Sequence, residues 1–209
     1  MNSKEVDRAI YDGLAGILVP AGFKGRRSDC RFIRPTPFGF QDVGAPLWNY
    51  DPTFAFSVNV GLRFDTIQDE ANPLYPLDPK NWADAFTILL KPAFFIQREL
   101  RFEVQTIDEV AQGMTEIDHL FRVHVFPFFD ACNDLGTVER LLNREPGVAF
   151  LPNRKNHAIT GIVAAALCRR PDFSEIVARY RDALGDSVEP IRTGFEVAVA
   201  HVTKNLLPK

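Results

Sequence analysis

Residues 54–64 alternate without a lapse. Phe54, Phe56, Val58, Val60, Leu62 and Phe64 are large and apolar, while Ala55, Ser57, Asn59, Gly61 and Arg63 between them are small or polar. Successive side chains on a strand point to opposite faces, so a period of two predicts a long antiparallel strand buried on its even face. A chain with such a strand is committed to a sheet with one apolar face and one face that is wet or lines a groove.

The rest of the pattern supplies helices around that sheet. Val6, Ile10, Leu14, Ile17 and Leu18 recur at helical spacing and predict a first helix over residues 3–19, capped by Ser3 and ended by Pro20-Ala21-Gly22. Residues 22–34 and 38–44 read as the two arms of a hairpin turned by Pro35-Thr36-Pro37, and residues 66–80, rich in Asp, Asn and Pro, read as a surface loop. Phe86, Ile88 and Leu90 resume alternation, and residues 94–104 hold one strand or two short ones. Thr106 and Glu109 form a capping box that starts a long central helix running to about His124, and Pro127 kinks or restarts the chain. Helices follow over residues 137–143, 156–170 and 173–184, and a last one is capped by Ser187 with an apolar stripe of Ile191, Phe195, Ala198, Val202 and Leu206.

Strands first and helices later predict an α+β fold: an antiparallel sheet of four to five strands packed by the N-terminal and central helices, followed by a C-terminal helical subdomain. Residues 146–152 mark the boundary between a sheet domain (1–145) and that subdomain (146–209), unless the 209 residues form a single domain.

Composition bounds the function. A net charge of −3 argues against a nucleic-acid partner, and no apolar run approaches the roughly 20 residues of a membrane span. Met1-Asn2-Ser3-Lys4-Glu5 lacks the apolar core of a signal peptide, which points to a cytoplasmic protein. Cys30, Cys132 and Cys168 are odd in number and far apart, and read as reduced, buried thiols. His119 and His124 are five residues apart and do not share a helix face, so no metal site is expected, and no glycine-rich phosphate loop or nucleophile elbow calls for a cofactor or marks a catalytic residue. Gly13 and Gly16 in the first helix signal close packing.

Two groups of residues remain as candidate sites. Asn59 and Arg63 share the polar face of the alternating strand, Gly61 leaves room between them, and Gln41 on a neighbouring strand joins them; this face would take a small anionic ligand. Arg26, Arg27, Arg31 and Arg34, with Lys24, form a basic cluster suited to an anion or an acidic partner, or to a solvated edge strand. A free sheet edge at this arm, or the apolar residues 126–129, could support a homo-oligomer, which the sequence leaves undetermined.

The order of parts resembles DUF4304, a bacterial domain family of unknown function. The matching elements are Gly22-Phe23-Lys24, the aromatic strand Cys30-Arg31-Phe32-Ile33-Arg34, the Phe56-Ser57-Val58-Asn59-Val60-Gly61 run, the entry of Phe102-Glu103-Val104 into a helix, and Pro127-Phe128-Phe129 after it. The resemblance spans about residues 3–135, and Pro35 and Pro37 depart from its usual pattern. It implies the α+β fold and carries over no catalytic residue. The expected function is therefore a non-enzymatic interaction or accessory protein of the immunity type with a protein partner; the alternative is a small anionic-ligand binder or an enzyme of unrecognised type.

Overall fold

The structure, a computed structural model, describes residues 2–75, 78–144 and 153–207. Helix α1 (Ser3–Leu18) is capped by Asn2 rather than Ser3: the Asn2 side chain accepts from the Glu5 N–H and the Glu5 carboxylate accepts from the Asn2 N–H. The expected first hairpin arm is two strands. β1 (Lys24–Arg26) folds back on β2 (Arg31–Thr36) through a 3-10 turn over Arg27–Asp29 and a left-handed Cys30 with φ of 46°. β2 pairs with β3 (Gly39–Gly44) through Pro35↔Phe40 and Thr36↔Gly39, so the turn falls at Pro37 and Phe38. β1 reaches only Ile33, so the missing N–H of Pro35 costs no ladder bond on that side.

The alternating run is also two strands. β4 (Leu47–Asn49) precedes β5 (Phe54–Phe56), and β6 (Asn59–Phe64) follows after a break at Ser57 and Val58. Residues 66–80, expected as loop, contain helix α2 (Asp65–Ala71), whose Ile67, Gln68 and Ala71 are buried; Pro76 and Leu77 lie outside the described residues. β7 (Ile88–Leu90), the helical turn α3 (Ala93–Ile96) and β8 (Phe102–Val104) follow, so the region read as one or two strands holds a single three-residue strand after a helical turn.

α4 (Ile107–Leu120) starts at the Thr106/Glu109 capping box, as the sequence predicts. Phe121–Val125 then widen into a π turn, with the Phe126 N–H bonded to the Phe121 carbonyl, before α5 (Phe126–Ala131). Pro127 has no N–H and would crowd the carbonyl four residues back, and the wider turn lets the helix run on through it. α6 (Leu135–Arg144), α7 (Arg154–Leu167), α8 (Phe173–Ala183) and α9 (Glu189–Asn205) complete the chain. α9 begins after Val188 with Pro190 in its first turn and no side-chain cap from Ser187.

The strands form two antiparallel sheets, one ordered β1-β2-β3-β6-β7 and one ordered β4-β5-β8, within an α+β architecture. The chain gathers into two compact units, Met1–Leu62 with Leu90–Ala131 and Arg63–Leu89 with Cys132–Lys209. Residues 63–89 thus belong with the C-terminal helices, and the boundary expected at 145/146 falls among residues outside the description.

In the first unit α1 packs on β2 and α4. Tyr11 stacks on Phe32 with ring centroids 5.0 Å apart, and a Cβ on Gly13 would stand 2.6 Å from Met114, so Gly13 marks a close helix approach. Gly16 faces open space and marks none. α4 lies against β5 and β8, where Gly113 admits the stacked rings of Phe56 and Phe102.

In the second unit α7 is the hub, packed by α2, α6, α8 and α9. A helix apolar all round is buried on every side, and every residue of α7 from His157 to Ala166 is buried. Its alanines and Gly161 let the neighbours close in; a Cβ on Gly161 would lie 2.1 Å from the Tyr180 hydroxyl. One buried carboxylate, Glu139 on α6, accepts from Asn143 at 2.9 Å and from Arg170 at 3.0 Å. Arg170 also bonds Asp172 through two nitrogens, at 2.8 and 2.7 Å.

Val58 is fully buried. Val58→Asp should abolish soluble folded protein, because it places an unpaired charge in the core; a normally melting soluble variant would contradict the packing. His157 gives a pH test. Burial pulls its imidazole from the ordinary 6.5 down to about 4. Above pH 6.5 the group is neutral folded and unfolded and contributes no slope. Between 6.5 and about 4 only the unfolded chain binds the proton, so stability should drop as pH falls through this window. Urea melts at pH 7 and pH 5 should show a smaller loss in His157→Gln than in the parent; equal losses would place the slope elsewhere.

Candidate functional site

A cleft of about 460 Å³ opens in the first unit where the alternating run breaks. β4 and the break form one wall, and the segments around Lys91 and Arg101 form the other. The register explains the exposed aromatic there. Trp48 pairs with Ala55, which pairs with Glu103, so these three share the outer face of the small sheet, while Leu47, Phe56 and Phe102 share the face packed on α4. Trp48 keeps 39% of its surface exposed and Tyr50 keeps 55%. The Arg101 guanidinium lies over both rings, 5.5 Å and 5.2 Å from their centroids.

The floor is fixed by Ser57, whose hydroxyl donates to the Leu100 carbonyl at 2.6 Å. Asn59 and Lys91 line the same cleft, and neither side chain has a hydrogen-bond or ion-pair partner among the described residues. Stacking rings, a guanidinium, an ammonium and an open amide are the kinds of group that can hold a planar or acidic group against an apolar wall.

Of the residues singled out from the sequence, Asn59 lies in this cleft, half-buried. Gln41 and Arg63 sit on faces that are not wet. Gln41 is buried, donates to the Phe129 carbonyl at 3.3 Å and accepts from Arg34 at 2.6 Å. Arg63 is 6% exposed; its guanidinium donates to the carbonyls of Trp82 at 2.6 Å and Ala85 at 3.1 Å and pairs with Asp65. Gly61 is buried as well. The period of two placed the polar residues on one face correctly, but chain segments distant in sequence cover that face.

The basic cluster is likewise tied to the fold. Arg26 binds Asp29 through two nitrogens, at 2.8 and 2.6 Å, which holds that carboxyl below its usual range. Arg27 lies over the Tyr11 ring and 3.6 Å from Asp12. Arg31 pairs with Asp42 on β3 and lies over Phe40. Arg34 donates to the Ala21 carbonyl at 2.9 Å, lies 4.9 Å from the Phe23 ring and 5.9 Å from the Phe129 ring, and stands 3.9 Å from Asp130. Each of these arginines meets an acid. Only the register and the helix docking bring those acids near, apart from Asp29, which the sequence already places beside Arg26.

Burial pushes the Cys30 and Cys132 thiols up to about 12, which keeps them protonated, and Cys168 is only partly covered. Among the described residues no group of three or more His, Cys, Asp and Glu stands close enough to hold a metal ion. His119 is exposed and His124 is half-buried, 6.5 Å from the Phe95 ring. Trp48, Tyr50 and Arg101, which make the cleft distinctive, carry no local motif; an exposed Trp-x-Tyr before the strand was the available signal.

Comparison with protein-family models, with characterised proteins and with solved structures finds no match to this chain. Arg63→Ala should cost about 1–3 kcal/mol in urea unfolding, because it strips two carbonyls of their donor. Asn59→Ala should change stability by less than about 0.5 kcal/mol. Equal losses would mean that Asn59 is a structural residue too.

Proposed function

We propose that this chain is a non-enzymatic interaction protein that docks a protein partner on the cleft beside Trp48. The observation that carries this reading is the Trp48–Arg101–Tyr50 stack on the cleft rim, exposed and already ordered by its own contacts. Trp, Tyr and Arg are the residue types that dominate interface energetics, and a stacked guanidinium loses little freedom on binding. Arg101 stands 4.0 Å from Glu103, while Lys91 has no partner among the described residues and offers its ammonium to an acidic side chain on the partner. β4 adds a further means of docking, since it is an edge strand of its sheet.

Membership of DUF4304 is part of this proposal, as is a bacterial, cytoplasmic setting. What supports the resemblance is that its separated elements meet: Phe23 and Phe129 lie 5.9 Å apart, and Phe56 stacks on Phe102 at 5.0 Å. No helix among the described residues is long and apolar enough to cross a membrane.

The test is parallel capture of partners by the parent chain and by Trp48→Ala/Arg101→Ala, read by native mass spectrometry with melting curves as control. The parent should retain a stoichiometric protein that binds the double variant at least about 30-fold more weakly at unchanged melting temperature. A partner held equally by both would remove the cleft from the reading. A small-mass adduct lost from the variant would instead make this a small-ligand site.

A further inference from the structure

The second unit holds a cleft of about 600 Å³ with a different character: every described side chain lining it is charged or an amide. Arg140 and Arg144 come from α6, Arg170 and Asp172 from the α7–α8 connection, and Glu175 and Arg179 from α8. We infer that this cleft binds a compact phosphate-bearing small molecule, with Arg140 and Arg179 as its main ligands. The inference stands apart from the docking cleft of the first unit.

The wall is prebuilt. Arg170 spends its guanidinium on buried Glu139 and on Asp172, so it is pinned in place. Asn143, which donates to Glu139 and to the Gly161 carbonyl at 3.1 Å, locks the same face of α6. Arg140 and Arg144 are four residues apart on α6, as are Glu175 and Arg179 on α8, so each pair projects from one side of its helix. Arg140 donates one nitrogen to the Thr137 hydroxyl and retains its other donors. Arg179 has no hydrogen bond or ion pair among the described residues.

A guanidinium fork matches two oxygens of a phosphate, and forks from two helices converging on one hollow fix such a group from both sides. The volume lies in the range of small-molecule sites. The lining also sets the ligand class. Among the described residues it offers no ring on which a nucleobase could stack and no aliphatic wall, so recognition by these residues rests on charge and hydrogen bonds. A pyrophosphate or a small phosphate ester fits; the base of a nucleotide adds nothing. Among the described lining residues Glu175 is the one carboxylate not bonded to an arginine, and it opposes the anion.

Calorimetric titration of the full chain with inorganic pyrophosphate at low salt tests this. Binding is expected for the parent, with ADP no tighter than pyrophosphate. Arg140→Gln and Arg179→Gln, at exposed positions that leave the fold intact, should each weaken it about tenfold or more, and Glu175→Gln should tighten it. Absence of binding by the folded parent, binding that survives both arginine changes, weaker binding in Glu175→Gln, or a strong preference for ADP would each overturn the inference.

Discussion

The burial of the even face along residues 54–64 is the constraint on which the sheet architecture depends. The even residues are at most 5% exposed across the whole run, through the break at Ser57 and Val58 and beyond it. One uninterrupted apolar stripe therefore serves two sheets, β5 pairing within the small one and β6 within the large one. The break lets each half follow its own sheet while the core face stays continuous. The cleft opens at this break, where the Ser57 hydroxyl holds the Leu100 carbonyl and Asn59 is left open beside it.

Some of the arginines of the first unit are organised for packing. Arg34 shows how: its guanidinium bonds the Ala21 carbonyl after α1, bonds Gln41 on β3, and lies over Phe23 and Phe129. One side chain thereby ties together the end of the first helix, two strands and α5. A cation whose plane covers apolar rings and whose Nε and one terminal nitrogen are bonded to fixed acceptors acts as a structural part. Lys91 and Arg101 in the cleft differ: the first has no partner among the described residues, and the second, 4.0 Å from Glu103, covers rings that are themselves exposed.

The second unit solves a different packing problem. α7 is enclosed by four helices, and small side chains let them approach. One set of polar groups caught inside is tied together: Asn143 and Arg170 both bind Glu139, and Tyr180 donates to the Leu142 carbonyl at 3.0 Å. Breaking one partner of such a set strands the others, so the network is costly to disturb. Its outer layer is the arginine-lined cleft, positioned by the same helices.

The sequence by itself determined the fold class, the apolar core face along residues 54–64 though not its division into two strands, the capping box at Thr106, and most helices after residue 135. These are local properties: side-chain period, capping chemistry and helix-forming composition act within a few residues of chain. Tertiary structure alone decided what covered the other faces. Residues 66–80 hide an amphipathic turn of helix behind polar neighbours, and only its docking on α7 reveals which side is buried. Gln41 and Arg63 looked like ligand groups because their partners, the carbonyls of Phe129, Trp82 and Ala85, are distant in sequence and backbone in kind. The two clefts were invisible for the same reason: each is assembled from separate elements, and a concave surface is a property of how elements pack, which no local pattern encodes.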